Sequence, residues 1–227
     1  MIEIEDLSAG YGHSLVLRNL YLKLQLGEVV GITGCNGAGK TTLLKVILGL
    51  IRPEKGSVTI QGRTLASEPD RSWARKQIGY VPQLAISGKL PISVHDAALM
   101  GRWGTSYGYF KKPNRADREK VTLTLTEVGL AQKEYHDVRC LSGGEQQKLA
   151  IARALVRDAA ILLLDEPTTY LDRNTQADLV GLLEAIRNKR KMTVIVISHD
   201  PLYLGRLAKR IFLIDGGCLK EITDEPA

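Results

Sequence analysis

The chain has no long apolar run. Its most apolar stretches, Ile161 to Leu164 and Val194 to Ile197, fall far short of the roughly 20 residues a membrane-spanning helix needs. Cysteine is scarce as well. Cys35, Cys140 and Cys218 are odd in number and widely scattered, which excludes a disulfide framework and any zinc-ligand spacing, and implies a reducing compartment. No internal repeat and no low-complexity tract occurs. The opening Met1-Ile2-Glu3-Ile4-Glu5 lacks the basic region and apolar run of a secretory signal, so a cytosolic protein is expected. Little chain follows Ile222, so no large C-terminal regulatory domain is expected.

Charge excludes little by itself. The formal net charge of +6 suits ATP, anionic lipid or nucleic acid alike. The one concentrated tract, Arg187-Asn188-Lys189-Arg190-Lys191, reads as a helix end that complements the helix dipole. No basic stretch interleaved with aromatics is present, so no nucleic-acid partner is expected. With 227 residues the chain is long for one domain and short for two, which suits a single core with an inserted lobe.

What is present alternates between strand and helix. Ile2 to Lys23 is strand-like, with turn signals at Gly10 and Gly12-His13-Ser14. Glu28 to Thr33 reads as a buried strand, Lys40 to Leu50 as a helix apolar on nearly every side, and Ser57 to Gln61 as another strand after the turn at Pro53 to Gly56. From about Ala85 to Leu155 the pattern turns helical, with a stripe at Val121, Leu125 and Val128. Strand and helix then resume. Ala160 to Leu164 and Thr193 to Ser198 are buried strands. Leu179, Leu182, Leu183 and Ile186 share a helix face, and Asp200-Pro201 opens the next helix. Arg210 to Ile222 reads as a hairpin turning at Asp215-Gly216-Gly217. Continuous apolar strands separated by helices predict an α/β fold with a mainly parallel sheet covered on both faces.

Gly34-Cys35-Asn36-Gly37-Ala38-Gly39-Lys40-Thr41 satisfies the phosphate-loop pattern between a predicted strand and a predicted helix. Glycines let backbone N–H groups converge on phosphate oxygens, and the helix presents its positive end. Lys40 is expected to reach the β- and γ-phosphates and Thr41 to hold Mg²⁺, with Thr42 beside it. Alone, this loop leaves kinases, GTPases and helicases open. Ile161-Leu162-Leu163-Leu164-Asp165-Glu166 supplies a second half. An apolar strand ending in carboxylates places Asp165 to orient Mg²⁺ and Glu166 to act as general base on the attacking water. Cys35 lies within the loop beside Lys40 and a helix N-terminus, a setting for a reactive thiol as readily as for an inert small residue.

Leu141-Ser142-Gly143-Gly144-Glu145-Gln146-Gln147 has two readings that hold together. Ser142 and Glu145 form a capping box, and a glycine-rich helix N-terminus is itself an anion site. Here the chain resembles the ATP-binding cassette family, whose signature this segment matches along with the phosphate loop. The resemblance covers essentially the whole chain. It implies a P-loop NTPase core with an N-terminal antiparallel β subdomain and an inserted helical subdomain: residues 1–84 and 156–227 as core, 85–155 as the lobe carrying the signature. It implies a homodimer in which Ser142, Gly143 and Gly144 of each copy touch the γ-phosphate of ATP bound by the other. Tyr11 matches the aromatic residue stacked on adenine, and Gln83, after Tyr80-Val81-Pro82, the glutamine that contacts Mg²⁺. Asp172 matches the aspartate crossing the dimer interface, and His199 the histidine sensing the γ-phosphate. Two departures stand out. Tyr170 replaces a small residue and Glu145 the commoner Gln; neither removes a phosphate contact.

The family resemblance further implies a peripheral subunit on the cytoplasmic face of a membrane, working beneath a separate permease, with an extracytoplasmic substrate-binding protein. The segment Pro91 to Arg102 is similar to that of bacterial manganese and zinc importers, and Pro167 to Asp172 to that of iron-chelate importers. His13, His95, His136 and His199 are dispersed, so transported metal is not expected to bind this subunit. An importer ATPase for another cargo and a soluble, non-transport ABC ATPase remain as alternatives. A P-loop kinase gives no account of Leu141 to Gln147.

Overall fold

A computed structural model describes residues 1–12, 14–83, 91–169 and 171–223. His13, Tyr170 and the boundary expected at residues 84 and 85 lie outside them. Two sheets organise the chain. The first is antiparallel, in the order β2-β1-β4-β5, from β1 (Ile2–Tyr11), β2 (Ser14–Leu24), β4 (Lys55–Ile60) and β5 (Arg63–Thr64). The second runs β10-β9-β3-β8-β7-β6, from β3 (Val29–Thr33), β6 (Ile78–Val81), β7 (Ile161–Asp165), β8 (Thr193–Ile197), β9 (Arg210–Asp215) and β10 (Cys218–Glu221). All its neighbours pair in parallel except the closing β9–β10 hairpin.

Strand geometry divides the apolar residues between two cores. Successive side chains on a strand point to opposite faces. In β7, Ile161 and Leu163 therefore join one cluster and Leu162 and Leu164 the other. In β8, Ile195 and Ile197 separate from Val194 and Val196 in the same way. The first cluster contains α1 (Lys40–Ile47) and the inner face of the antiparallel sheet. The second contains the helices α3 (Val94–Leu99), α4 (Arg115–Glu127) and α5 (Gly143–Leu155), together with α6 (Arg173–Arg190) and α7 (Pro201–Leu207). With both faces covered, β7 and β8 are buried at every position.

Helix ends follow local chemistry. α1 stops at Ile47, three residues before the expected Leu50, because Gly49 adopts φ 66°. Its N–H donates to Val46 O (2.9 Å) while Leu50 N–H donates to Lys45 O (2.8 Å), closing the helix with a Schellman motif. Leu50 is left 60% exposed. Asp200 caps α7, which carries Pro201 at its first position. α6 ends in Arg187, Lys189 and Arg190, with Lys191 left-handed beyond. The expected pattern did not include α2 (Glu68–Gln77) or β6, which lead directly to Gln83.

Candidate active site

Between β3 and α1 the chain turns through Gly34, Gly37 and Gly39, all at positive φ. Two of these glycines are forced by close approach. A Cβ on Gly34 would lie 2.5 Å from Ile214 O, and one on Gly39 would lie 2.7 Å from Leu17 Cδ2. Gly39 is also the N-cap of α1 and offers no side-chain cap, and no acidic residue sits in the first turn. The leading N–H groups and the positive end of the helix are thus left for an anion. Lys40 is buried, with Nζ donating to Gly34 O (2.6 Å) and Cys35 O (3.1 Å). The ammonium is folded back onto the loop that it would leave on meeting a phosphate. Ala38 N–H donates to Cys35 O (3.2 Å), tightening the loop, and Cys35 itself is exposed.

A cleft of about 330 Å³ opens over this loop, lined among others by Tyr11, Asn36, Gly37, Gly39, Lys40, Thr41, Thr42, Gln83, Asp165 and Glu166. Tyr11 ends β1 half exposed at its margin, with Lys45 Nζ donating to its hydroxyl at 3.3 Å. That leaves an aromatic face open for stacking.

The carboxylates stand where β7 ends. Asp165 Oδ2 accepts from Thr41 Oγ1 (3.4 Å) and from the Tyr80 hydroxyl (3.3 Å). Asp165 Oδ1 is buried and has no hydrogen-bond partner. Burial pushes the Asp165 pKa up and the adjacent Glu166 adds to the rise, while the Tyr80 and Thr41 hydroxyls act against it. A divalent cation bound there would offset the cost of the buried charge. The hydroxyl of Thr41, the orphaned oxygen of Asp165 and the side-chain oxygen of Gln83 are the hard donors Mg²⁺ takes. The residues present therefore fit the ion.

Glu166 is buried and sits at φ 50°, a left-handed conformation costly for a residue with a Cβ. Its N–H donates to Ile197 O (2.9 Å), and its carbonyl accepts from Thr169 N–H (3.3 Å) and Thr169 Oγ1 (3.1 Å). These bonds hold the residue in its strained turn. His199, just beyond β8, brings Nδ1 to 2.6 Å from Glu166 Oε2, where an Nδ1–H donates to the carboxylate. Parallel pairing of β7 with β8 aligns Asp165 with Ile197, which delivers the two side chains to the same end of the sheet.

Four expected residues do not join this cleft. Ser142 caps α5 in a full capping box with Glu145: Ser142 N–H donates to Glu145 Oε2 (2.9 Å) and Glu145 N–H to Ser142 Oγ (3.4 Å). Glu145 is further held by Lys133 Nζ at 2.6 Å. Asp172 caps α6, accepting from Asn174 N–H (3.0 Å), Thr175 N–H (3.1 Å) and Thr175 Oγ1 (2.6 Å). These two helix starts adjoin each other. A Cβ on Gly143 would lie 3.9 Å from Leu171 Cδ2, and one on Gly144 would lie 2.6 Å from Thr175 Cγ2. Ser142, Gly143, Gly144 and Asp172 thus form a second locale, absent from the lining of the phosphate cleft of their own chain. Tyr80 is the residue that sequence reasoning passed over. It appeared only as a neighbour of Gln83, yet its hydroxyl holds Asp165.

Comparison with known proteins agrees with this geometry. Residues 17–169 match the model of the ABC transporter family. The manganese transport system ATP-binding protein MntB of Bacillus subtilis is 38% identical over 200 residues, covering 88% of this chain and 77% of that protein. The zinc transport system ATP-binding protein TroB of Treponema pallidum is 32% identical over 231 residues, covering 99% and 84%. Among solved structures, the dimeric cassette MJ0796 superposes with TM-score 0.82 at 28% identity, each chain covered in full; the same cassette is also known as a post-hydrolysis dimer with ADP and phosphate. An ABC transporter classed as metal-chelate type, in an inward-facing conformation, gives TM-score 0.85 at 30% identity, covering 97% of this chain and 82% of that one. The chain belongs to the ABC transporter family, as an ATPase of that family.

Proposed function

We propose that the chain binds ATP with Mg²⁺ in the cleft above the phosphate loop and hydrolyses it as one of two copies, driving a separate membrane permease that imports a transition metal or its chelate. The observation that carries the hydrolytic part is the unpartnered, buried oxygen of Asp165 beside Thr41, one residue from the Glu166–His199 pair.

Residues 1–84 and 156–227 serve as the catalytic core and 85–155 as the helical lobe. Tyr11 stacks on the adenine. Lys40 leaves Gly34 O and Cys35 O to contact the β- and γ-phosphates, and the loop N–H groups from Gly34 to Thr42 cradle them. Mg²⁺, when bound by Thr41, Asp165 and Gln83, neutralises charge that develops on the transferring phosphoryl group. Glu166 polarises a water in line with the γ-phosphorus and takes its proton as the P–O bond to the ADP leaving group breaks. His199 fixes the orientation of Glu166 and reads the γ-phosphate. Because Ser142, Gly143 and Gly144 do not line their own cleft, they are free to close that of a partner copy. A two-fold arrangement makes both closures equivalent, with Asp172 crossing between the copies.

The cargo rests on the names of relatives, which include manganese, zinc and siderophore transport ATPases. Among the described residues, no helix is long and apolar enough to cross a membrane, so passage is assigned to the permease, with an extracytoplasmic binding protein delivering cargo. The chain then works at the cytoplasmic membrane face. Substituting Glu166→Gln tests the core of this scheme. Turnover is expected to fall about 100- to 10,000-fold, and the protein to elute as a dimer in MgATP. A variant that stays monomeric under those conditions overturns the shared-site mechanism. Loss of manganese, zinc or chelate uptake on deleting the gene tests the cargo.

A further inference from the structure

Between α3 and α4 the chain forms a short hairpin with an aromatic tip. Gly108 N–H donates to Lys111 O (2.9 Å) and Lys111 N–H to Gly108 O (3.2 Å), so Tyr109 and Phe110 are the two residues that turn the chain. Tyr109 is 91% exposed and Phe110 fully exposed. The protein has one other phenylalanine, Phe212, and that one is buried. Trp103, itself half exposed, sets its ring edge-on to Tyr109 (centroids 5.2 Å apart, planes at 83°) and to Tyr107 (5.5 Å, 88°).

The base of the hairpin is fixed to the helical lobe. The Tyr107 hydroxyl donates to Leu99 O (2.9 Å), Arg102 Nε to Asp117 Oδ1 (2.7 Å), and the Ser106 hydroxyl to the same oxygen. The rings at the tip are thus held out in water, and a surface preset in this way loses little freedom on binding. Lys111 and Lys112 follow directly, both exposed, and neither forms an ion pair among the described residues. No acidic residue occurs from Trp103 to Lys112. Lysine is depleted from the buried centres of protein–protein interfaces, so a polypeptide partner suits the rings but not the lysines beside them. A bilayer surface suits both. Aromatic rings settle at headgroup level, and lysine stems lie along the apolar layer with their ammonium groups among anionic headgroups.

We propose that the hairpin tip docks on an anionic lipid surface, with Trp103, Tyr109 and Phe110 entering the headgroup layer and Lys111 and Lys112 meeting lipid phosphates. The chain then touches the membrane directly, in addition to its hold on the permease. This contact needs neither ATP turnover nor cargo, so it can fail while the transport function proposed above stands.

The test mixes the full chain with vesicles of equal parts phosphatidylcholine and phosphatidylglycerol, and with vesicles of phosphatidylcholine alone. The chain is expected to sediment with the anionic vesicles, to bind the neutral ones more weakly, and to be released by high salt. Tryptophan emission is expected to shift to the blue on binding, and Trp103→Phe to abolish the shift. The paired substitution Tyr109→Ser, Phe110→Ser is expected to weaken binding to anionic vesicles at least about 10-fold, and Lys111→Gln, Lys112→Gln about 10-fold or more. Both variants are expected to keep wild-type ATPase activity, which also reports folding. With p-benzoylphenylalanine in place of Phe110, illumination of the chain on its permease in the membrane is expected to label lipid. No binding to anionic vesicles, equal binding to both vesicle types, or wild-type binding by either paired variant overturns the inference. So does an adduct with polypeptide, which marks the tip as a protein contact instead.

Discussion

Replacing Tyr80 with Phe removes one oxygen and keeps the ring that packs beside β7. The consequence follows from the surroundings of Asp165. Its Oδ1 already has no partner, and its Oδ2 would be left with Thr41 Oγ1 alone, at 3.4 Å. Burial pushes the Tyr80 hydroxyl up to about 12, so the group is a full-time donor at working pH. A hydrogen bond to a charged group is worth about 1.5–3 kcal/mol. At 3.3 Å this one is long, and the lower end, about 1.5 kcal/mol, applies. In a domain of this size each kcal/mol moves Tm by about 2–4 °C, so Tyr80→Phe should lower Tm by roughly 3–6 °C without metal. Saturating MgATP should shrink that difference, because a cation on Asp165 supplies the positive charge the hydroxyl dipole had offered. Thermal unfolding of both proteins, with and without MgATP, measures it. An unchanged Tm, or a fall of equal size in both conditions, refutes the assignment of Tyr80 as support for Asp165, the proposed metal carboxylate.

Asp117, 1% exposed, offers a pH test remote from the active site. Burial would raise its pKa, but the Ser106 hydroxyl, the Asn114 N–H (2.9 Å) and Arg102 Nε (2.7 Å) outweigh it and lower the value from 3.8 to about 2. A lowered folded pKa gives stability that is complete above about 3.8 and is lost as pH falls through about 2. Asp117→Asn should therefore destabilise at pH 7 and flatten the loss in that window, as read by urea unfolding across pH. Gly39→Ala should cost on the order of 1–3 kcal/mol, since φ 111° strains any Cβ and Leu17 and Val16 leave no room for it; denaturant midpoints and ATP affinity should both fall. Alkylation of the exposed Cys35 should inhibit turnover, with ATP protecting, and full activity after stoichiometric labelling would end the idea.

What the sequence made legible had a local period or a local motif. β7 and β8 were plain because four or five apolar residues in a row suit a strand buried on both faces. The phosphate loop and the Ser142 capping box were plain because their chemistry lies within eight residues. α2 escaped because only Ala74 of it is buried, so no apolar stripe exists; its signal was the capping box of Ser67 with Asp70. β6 escaped because four residues with a glycine at their second position carry no periodicity. The hydrogen bond from Tyr80 to Asp165 joins residues 85 apart in sequence, and the Glu166–His199 contact joins residues 33 apart. Such pairs follow from strand order, which no local pattern specifies.

Strand order also links the phosphate cleft to the Ser142 end of α5. β6 is the edge neighbour of β7, so Tyr80 reaches Asp165, while Gln83 follows two residues beyond the strand. α5 packs against β6. Arg153 lies near its C-terminal end and Ser142 caps its start, about 16 Å away at 1.5 Å per residue. Gly79 locks strand and helix together, since a Cβ there would lie 2.8 Å from Ala154 O. β6 and α5 are therefore expected to move as one body. One end of that body holds Asp165 through Tyr80, and the other carries the serine proposed to close its partner's cleft. Loosening the joint should uncouple them: Gly79→Ala, which forces the two apart, is expected to spare ATP binding but to abolish stimulation of turnover by the permease. Full stimulation in that variant would show that the strand and the helix respond to the permease independently.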